Sequence, residues 1–105
     1  EYDSNGAVKG AVSTTQYAIG YVGLGYVDLS LQVLEIDDGG GFVAPSEATV
    51  QDLSYPISRD LYMITMGTID TQPEKVQAFF DFMLSRAGQY ISKYEDFVPL
   101  PGYIL

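Results

Sequence analysis

The run Gly20-Tyr21-Val22-Gly23-Leu24-Gly25 is the first place in this sequence where a phosphate group could rest on backbone amides. Its spacing is neither G-x-G-x-x-G nor a Walker loop, and no lysine follows it. The glycines therefore read as a sharp exit from a strand, with Tyr21 at the strand end, placed to pack or to line a cleft. A second run, Tyr55-Pro56-Ile57-Ser58-Arg59, supplies a hydroxyl and a guanidinium, the donor types that hold an oxyanion. The bland alternative for Arg59 is a solvated or paired surface residue, with Asp60 or Glu47 as partner. Asp37 and Asp38 before Gly39-Gly40-Gly41 lack the alternating acids and twelfth-position Glu of a calcium loop, so they read as an acidic hairpin turn. Glu95 and Asp96 are sequence neighbours near a surface-prone tail, a poor arrangement for paired acid–base work.

The chain contains no histidine and no cysteine. Thiol nucleophiles, serine–histidine triads, disulfides and zinc sites of the usual ligand set are excluded with them. No metal or cofactor is expected. With 14 acidic residues against 5 basic ones, the net charge is −9, which repels phosphate backbones and anionic lipid and argues against nucleic-acid binding. The acidity is uneven: residues 1–52 carry eight acids and one base, residues 53–105 six acids and four bases. The nine tyrosines are scattered, which favours distributed packing over sugar stacking.

The elements that must position these groups follow from periodicity. Ser4 or Asn5 can cap a short helix with Val8, Ala11 and Val12 on one face. Ala18–Val22 reads as a buried strand and Leu31–Ile36 as a second, with imperfect alternation. Phe42-Val43-Ala44 is extended, and Ser46 can cap a helix running to about Asp52, with Thr49 rather than Glu at the capping-box position. Tyr55-Pro56-Ile57 reads as extended, because the residue before proline avoids helical space. Leu61–Met66, apolar on both faces, reads as a central strand covered on both sides. Pro73 and Glu74 open a helix whose stripe is Val76, Phe79, Phe80, Met83 and Leu84. Gly88 reads as an interruption before a last helix to about Lys93, and the tail Phe97–Gly102 cannot continue it. The fold class is α/β, with about four strands and four helices in incomplete sheets.

Three segments in order resemble the C-terminal third of the substrate-binding protein of ABC phosphate importers. They are Ala18–Tyr26 preceded by Asn5-Gly6-Ala7-Val8; Pro45–Val50 followed by Tyr55–Tyr62; and Phe79–Ser85 with Gly88-Gln89-Tyr90-Ile91 and Val98-Pro99-Leu100-Pro101. The resemblance implies a periplasmic-binding-protein fold of the second type, in which two lobes close on an oxyanion. It implies residues 1–54 as the end of lobe two, 55–61 as the hinge crossing and 62–105 as the return to lobe one. Gly20, Tyr21, Tyr55, Ser58 and Arg59 are the cleft or hinge candidates it leaves.

The family's Ser-Gly-Thr turn is absent, and the arginines number only two, Arg59 and Arg86. The expectation is therefore a non-enzymatic piece of an exported phosphate binder that lacks most of the anion site. Its start without methionine fits a processed or excised product. The implied partners are inorganic phosphate and the importer's membrane subunits, both through the full-length parent, in the periplasm or outside the cell. Alone, the piece is expected to self-associate, with strand exchange as one route. The rival readings are a binder of another oxyanion, a ligand-free structural piece, a phosphatase-like relative and a regulator's effector domain.

Overall fold

A computed structural model of the chain describes residues 1–103, so Ile104 and Leu105, at the end of the expected return to lobe one, lie outside it. Helix α1 (Asn5–Thr14) starts where the Ser4 hydroxyl accepts the Ala7 amide at 3.2 Å. It stops where Thr14 turns its hydroxyl back onto the Gly10 carbonyl at 2.8 Å. Val8, Ala11 and Val12 are half-buried, the face the spacing predicts. The segment 18–22 lies across this face, and a Cβ on Gly20 would sit 2.9 Å from methyls of both Val8 and Val12. Asn5 Oδ1 accepts the Gly23 amide at 3.2 Å, and Lys9 pairs with Asp28 at 2.5 Å. A single 3-10 turn, Leu24–Tyr26, follows.

Strands β1 (Ile36–Asp37) and β2 (Phe42–Val43) form an antiparallel hairpin with Ile36 opposite Val43 and Asp37 opposite Phe42. One carboxylate organises its turn: Asp37 Oδ1 accepts the amides of Gly39 at 2.7 Å and Gly41 at 2.9 Å. Gly39 and Gly41 take φ of +107° and +114°, where a side chain would be strained. These two amides hold the Asp37 carboxyl below its ordinary 3.8, the Gly41 amide more than the Gly39 amide. A depressed carboxyl contributes stability above its unfolded pKa and loses it as pH falls through the folded value. The Gly39 and Gly41 amide resonances are thus expected to titrate with a midpoint below 3.8. A midpoint at or above 3.8 in an NMR titration would show the turn is not built on this carboxylate.

Helix α2 (Glu47–Gln51) carries a capping box, with Ser46 and Thr49 exchanging side-chain-to-amide bonds of 2.9 and 3.1 Å. Helix α3 (Glu74–Met83) begins directly after Pro73, and helix α4 (Arg86–Tyr94) after Ser85, whose hydroxyl accepts the Gly88 amide at 3.2 Å. Gly88 is therefore not an interruption. The break falls at Leu84–Ser85, and Gly88 sits buried inside α4, where α3 and α4 cross. Phe80 and Met83 of the expected stripe are half-buried, whereas Phe79 and Phe82 remain about half exposed.

Among the described residues the architecture is mixed α/β, with four helices and one incomplete, two-stranded sheet. Two expected strands do not pair and a third does so only at its end. Ala18–Val22 and Leu61–Met66 have no ladder partners, Met66 falling in a bend, and only Ile36 of Leu31–Ile36 enters the hairpin. Leu61–Met66 is consequently exposed rather than covered on both sides. The cause is the lack of an adjacent strand, since a ladder needs a partner alongside. Tyr55–Ser58 is a turn rather than the extended backbone expected of Tyr55-Pro56-Ile57. Pro56 presets φ for the second position, and the Ser58 amide closes on the Tyr55 carbonyl at 2.9 Å.

Among the described residues no apolar side chain is fully buried. The accessible surface is 8438 Å², where a self-contained monomer of this mass exposes about 5,800 Å². The radius of gyration is 16.9 Å, against about 13 Å for a compact domain of this length.

Candidate functional site

The candidates fall into two groups. Gly20 and Tyr21 line an open groove of about 620 Å³ beside α1, with Val8, Val12 and Ile19 among its walls. Gly20 is there for packing, since its missing side chain admits Val8 and Val12. Tyr21 is 87% exposed. Tyr55, Ser58 and Arg59 belong to the proline turn. The Tyr55 hydroxyl donates to the Leu34 carbonyl at 3.2 Å, which ties the turn to the segment before β1. Among the described residues, no hydrogen bond links this turn to Gly20 or Tyr21.

The donors available to an anion here are few. The Ser58 hydroxyl gives its only proton to the Tyr55 carbonyl at 2.7 Å. Arg59 is exposed and has no ion-pair partner among the described residues. Its expected partner Glu47 instead accepts from Lys93 at 3.2 Å, because α4 brings Lys93 over the first turn of α2. Asp28 is held well below the usual carboxylate range by the Lys9 ammonium and then by the Ser30 hydroxyl and amide. Asp52 is lowered by the Ser54 hydroxyl and amide. All these acids serve local turns and pairs. No group of three metal-ligating side chains occurs among the described residues.

A smaller cleft of about 220 Å³ opens between Leu24, Gly25, Glu47, Lys93 and Phe97. None of the five candidates lines it. The elements α2, α4 and the tail that supply most of its walls are also joined by contacts that the sequence patterns did not single out. Gln51 of α2 donates to the Pro99 carbonyl at 2.9 Å. Gln89 of α4, only 6% exposed, donates to the Met83 carbonyl at 2.9 Å and accepts the Leu100 amide at 2.7 Å. Two glutamines thus stitch α2, the α3–α4 corner and the tail together. Gln51 and Pro99 lie 48 positions apart, beyond any local spacing rule. The available signal was Gly88, a glycine inside a helix where another backbone comes close.

The family model described as the PBP superfamily domain matches residues 2–87. The phosphate-binding protein PstS of Borreliella burgdorferi is 32% identical over 99 residues, covering 90% of this chain and 33% of that protein. PstS of Pseudomonas aeruginosa is 28% identical over 107 residues, covering 99% of this chain and 33% of that protein. The protein SphX of Synechocystis is 33% identical over 98 residues, covering 90% of this chain and 29% of that protein. No solved structure gives a significant match. The chain spans about a third of the length of these curated relatives. With the family model covering most of its residues, the chain belongs to the PBP superfamily.

Proposed function

We propose that the chain is the C-terminal part of a non-enzymatic phosphate-binding protein that serves an ABC importer in the periplasm or outside the cell. The observation that carries this reading is the similarity of 90% or more of the chain to a third of phosphate-binding proteins from unrelated bacteria. On this reading residues 1–54 close lobe two, 55–61 cross the hinge and 62–105 return to lobe one. Gly20, Tyr21, Tyr55, Ser58 and Arg59 then face the cleft. The grip on the anion belongs to the remainder of the parent. A desolvated oxyanion needs several converging N–H and O–H donors, and here Ser58 is engaged while Arg59 is exposed to solvent. Left alone, the chain self-associates to cover its unpaired strands.

The test exchanges this chain for the matching third of the Pseudomonas aeruginosa relative and titrates both proteins calorimetrically with phosphate and sulfate. The chimera is expected to bind phosphate, while the chain alone gives no saturable heat up to about 1 mM, near −4 kcal/mol of binding. Saturable micromolar binding by the chain alone would overturn the assignment of the grip. A folded chimera that prefers sulfate would overturn phosphate in favour of another oxyanion.

A further inference from the structure

Leu61-Tyr62-Met63-Ile64-Thr65-Met66 contains no charge, glycine or proline, the composition that most readily adds to a sheet edge. Among the described residues, none of 59–66 makes a backbone-to-backbone hydrogen bond, and only the Met66 carbonyl is engaged, accepting from the Gln72 side chain, so the backbone of 61–65 has no ladder partner on either edge. Its faces are unequal. On one face Met63 is 41% exposed and Thr65 half-buried, although Leu61 at its start is 70% exposed, whereas on the other Tyr62, Ile64 and Met66 are 78, 90 and 94% exposed. The segment 18–22 is the weaker rival, because Gly20 interrupts it and holds it against α1.

We propose that two copies of the chain pair through this run, antiparallel, about a two-fold axis at Ile64. The symmetry restricts the register. A two-fold axis relating adjacent antiparallel strands stands normal to the sheet, so each residue keeps its face. Facing residues share a face, and along a strand faces alternate. Facing numbers must then sum to an even value. Centring on Ile64 sets Tyr62 opposite Met66 and Met63 opposite Thr65. Met66 is the last rung, because the chain bends at Met66–Gly67 and the Gly67 φ of +81° leaves the extended region. Centring on Met63 would put Asp60 opposite Met66, and centring on Thr65 would carry the ladder through Gly67 with Asp60 opposite Asp70. The Ile64 register brings no like charges together and joins Tyr62, Ile64 and Met66 of both copies into one apolar face.

A second copy fits on area as well. The chain exposes roughly 2,600 Å² beyond a self-contained monomer, and a standard interface needs about 800 Å² per partner. The inference rests on the self-association of the isolated chain proposed above and is independent of which anion the parent binds.

Sedimentation velocity on the full chain tests it. A dimer is expected whose affinity rises with added salt, because each copy carries −9. Ile64→Asp would set two carboxylates face to face on the axis and weaken the dimer at least ~30-fold. Ile19→Asp, on the other unpaired segment, should leave it unchanged. Both side chains are largely exposed, so both variants should keep the helical circular dichroism of the parent. The absence of cysteine makes single-cysteine probes clean. Ile64→Cys should cross-link under mild oxidation at least ~10-fold faster than Ile19→Cys, since facing Cβ atoms lie about 5 Å apart. A monomer at about 500 µM, far above typical interface dissociation constants, would overturn the proposal. So would equal effects of the two aspartates, equal cross-linking rates, or pairing with added unrelated β-strand peptides in preference to self.

Discussion

Gly88→Ala is expected to destabilise the chain by about 2 kcal/mol, although alanine is the better helix former. The position lies within α4, where alanine ordinarily gains about 1 kcal/mol over glycine. At this site a Cβ would collide with the Phe82 carbonyl oxygen and sit 2.7 Å from the Met83 carbonyl oxygen and 2.8 Å from the Met83 Cα. All three atoms are backbone and cannot swing aside, so α3 and α4 must separate. Forced overpacking of this kind costs about 3 kcal/mol at its upper range, which outweighs the propensity gain. Gly10→Ala is the contrast, since Gly10 lies inside α1 with nothing within 4 Å of its Cβ position. It should stabilise by about 0.5–1 kcal/mol. Urea midpoints of the two variants would settle the matter, and equal or same-signed shifts would contradict the close crossing.

The second large effect is expected at Gln89. Replacing it with leucine keeps the bulk but removes the donor to Met83 and the acceptor for Leu100. Each buried group left unpaired costs about 1–3 kcal/mol, so a loss of about 3 kcal/mol is expected, with the Leu100 amide exchanging freely. Gln89→Glu supplies a sign test. The glutamate keeps the acceptor for Leu100 but turns a carboxylate oxygen towards the Met83 carbonyl. That raises its folded pKa above the unfolded value of about 4.3. The group then stabilises most when protonated, so the variant's deficit should shrink as pH falls towards 4. A deficit independent of pH, or an unprotected Leu100 amide in the parent chain, would show that Gln89 does not hold the tail.

Local chemistry was legible in the sequence wherever the partners were close in number. Ser4, Ser46 with Thr49, and Pro73 before Glu74 mark helix starts that the structure contains. The hairpin turn at Asp37–Gly41 was equally readable, because its donors and acceptor lie within four positions. The same local reasoning misjudged Gly88, since a helix-breaking residue and a close-approach residue look alike until the crossing helix is known. Strand pairing was not legible. Apolar runs such as Leu61–Met66 announce the need for neighbours without saying whether neighbours exist in the chain. The proline turn escaped for a related reason: Tyr55 before Pro56 is non-helical both in a strand and at the first position of a turn. Of the candidate site, Tyr55, Ser58 and Arg59 share one turn, and Gly20 and Tyr21 share one groove, but only a fold can join groups 30 positions apart.

The two glutamine bridges also bear on the order in which this chain acquires its shape. Gln51 waits for Pro99 and Gln89 for Leu100, so α2 and the helical corner cannot be locked until residues 99 and 100 have left the ribosome. During synthesis α1 and the hairpin can settle early on local bonds, while the arrangement of α2 against α4 comes later, once the tail segment is available. Before and after that step alike, the apolar run 61–66 stands in solution, open to whatever chaperone or nascent strand reaches it first.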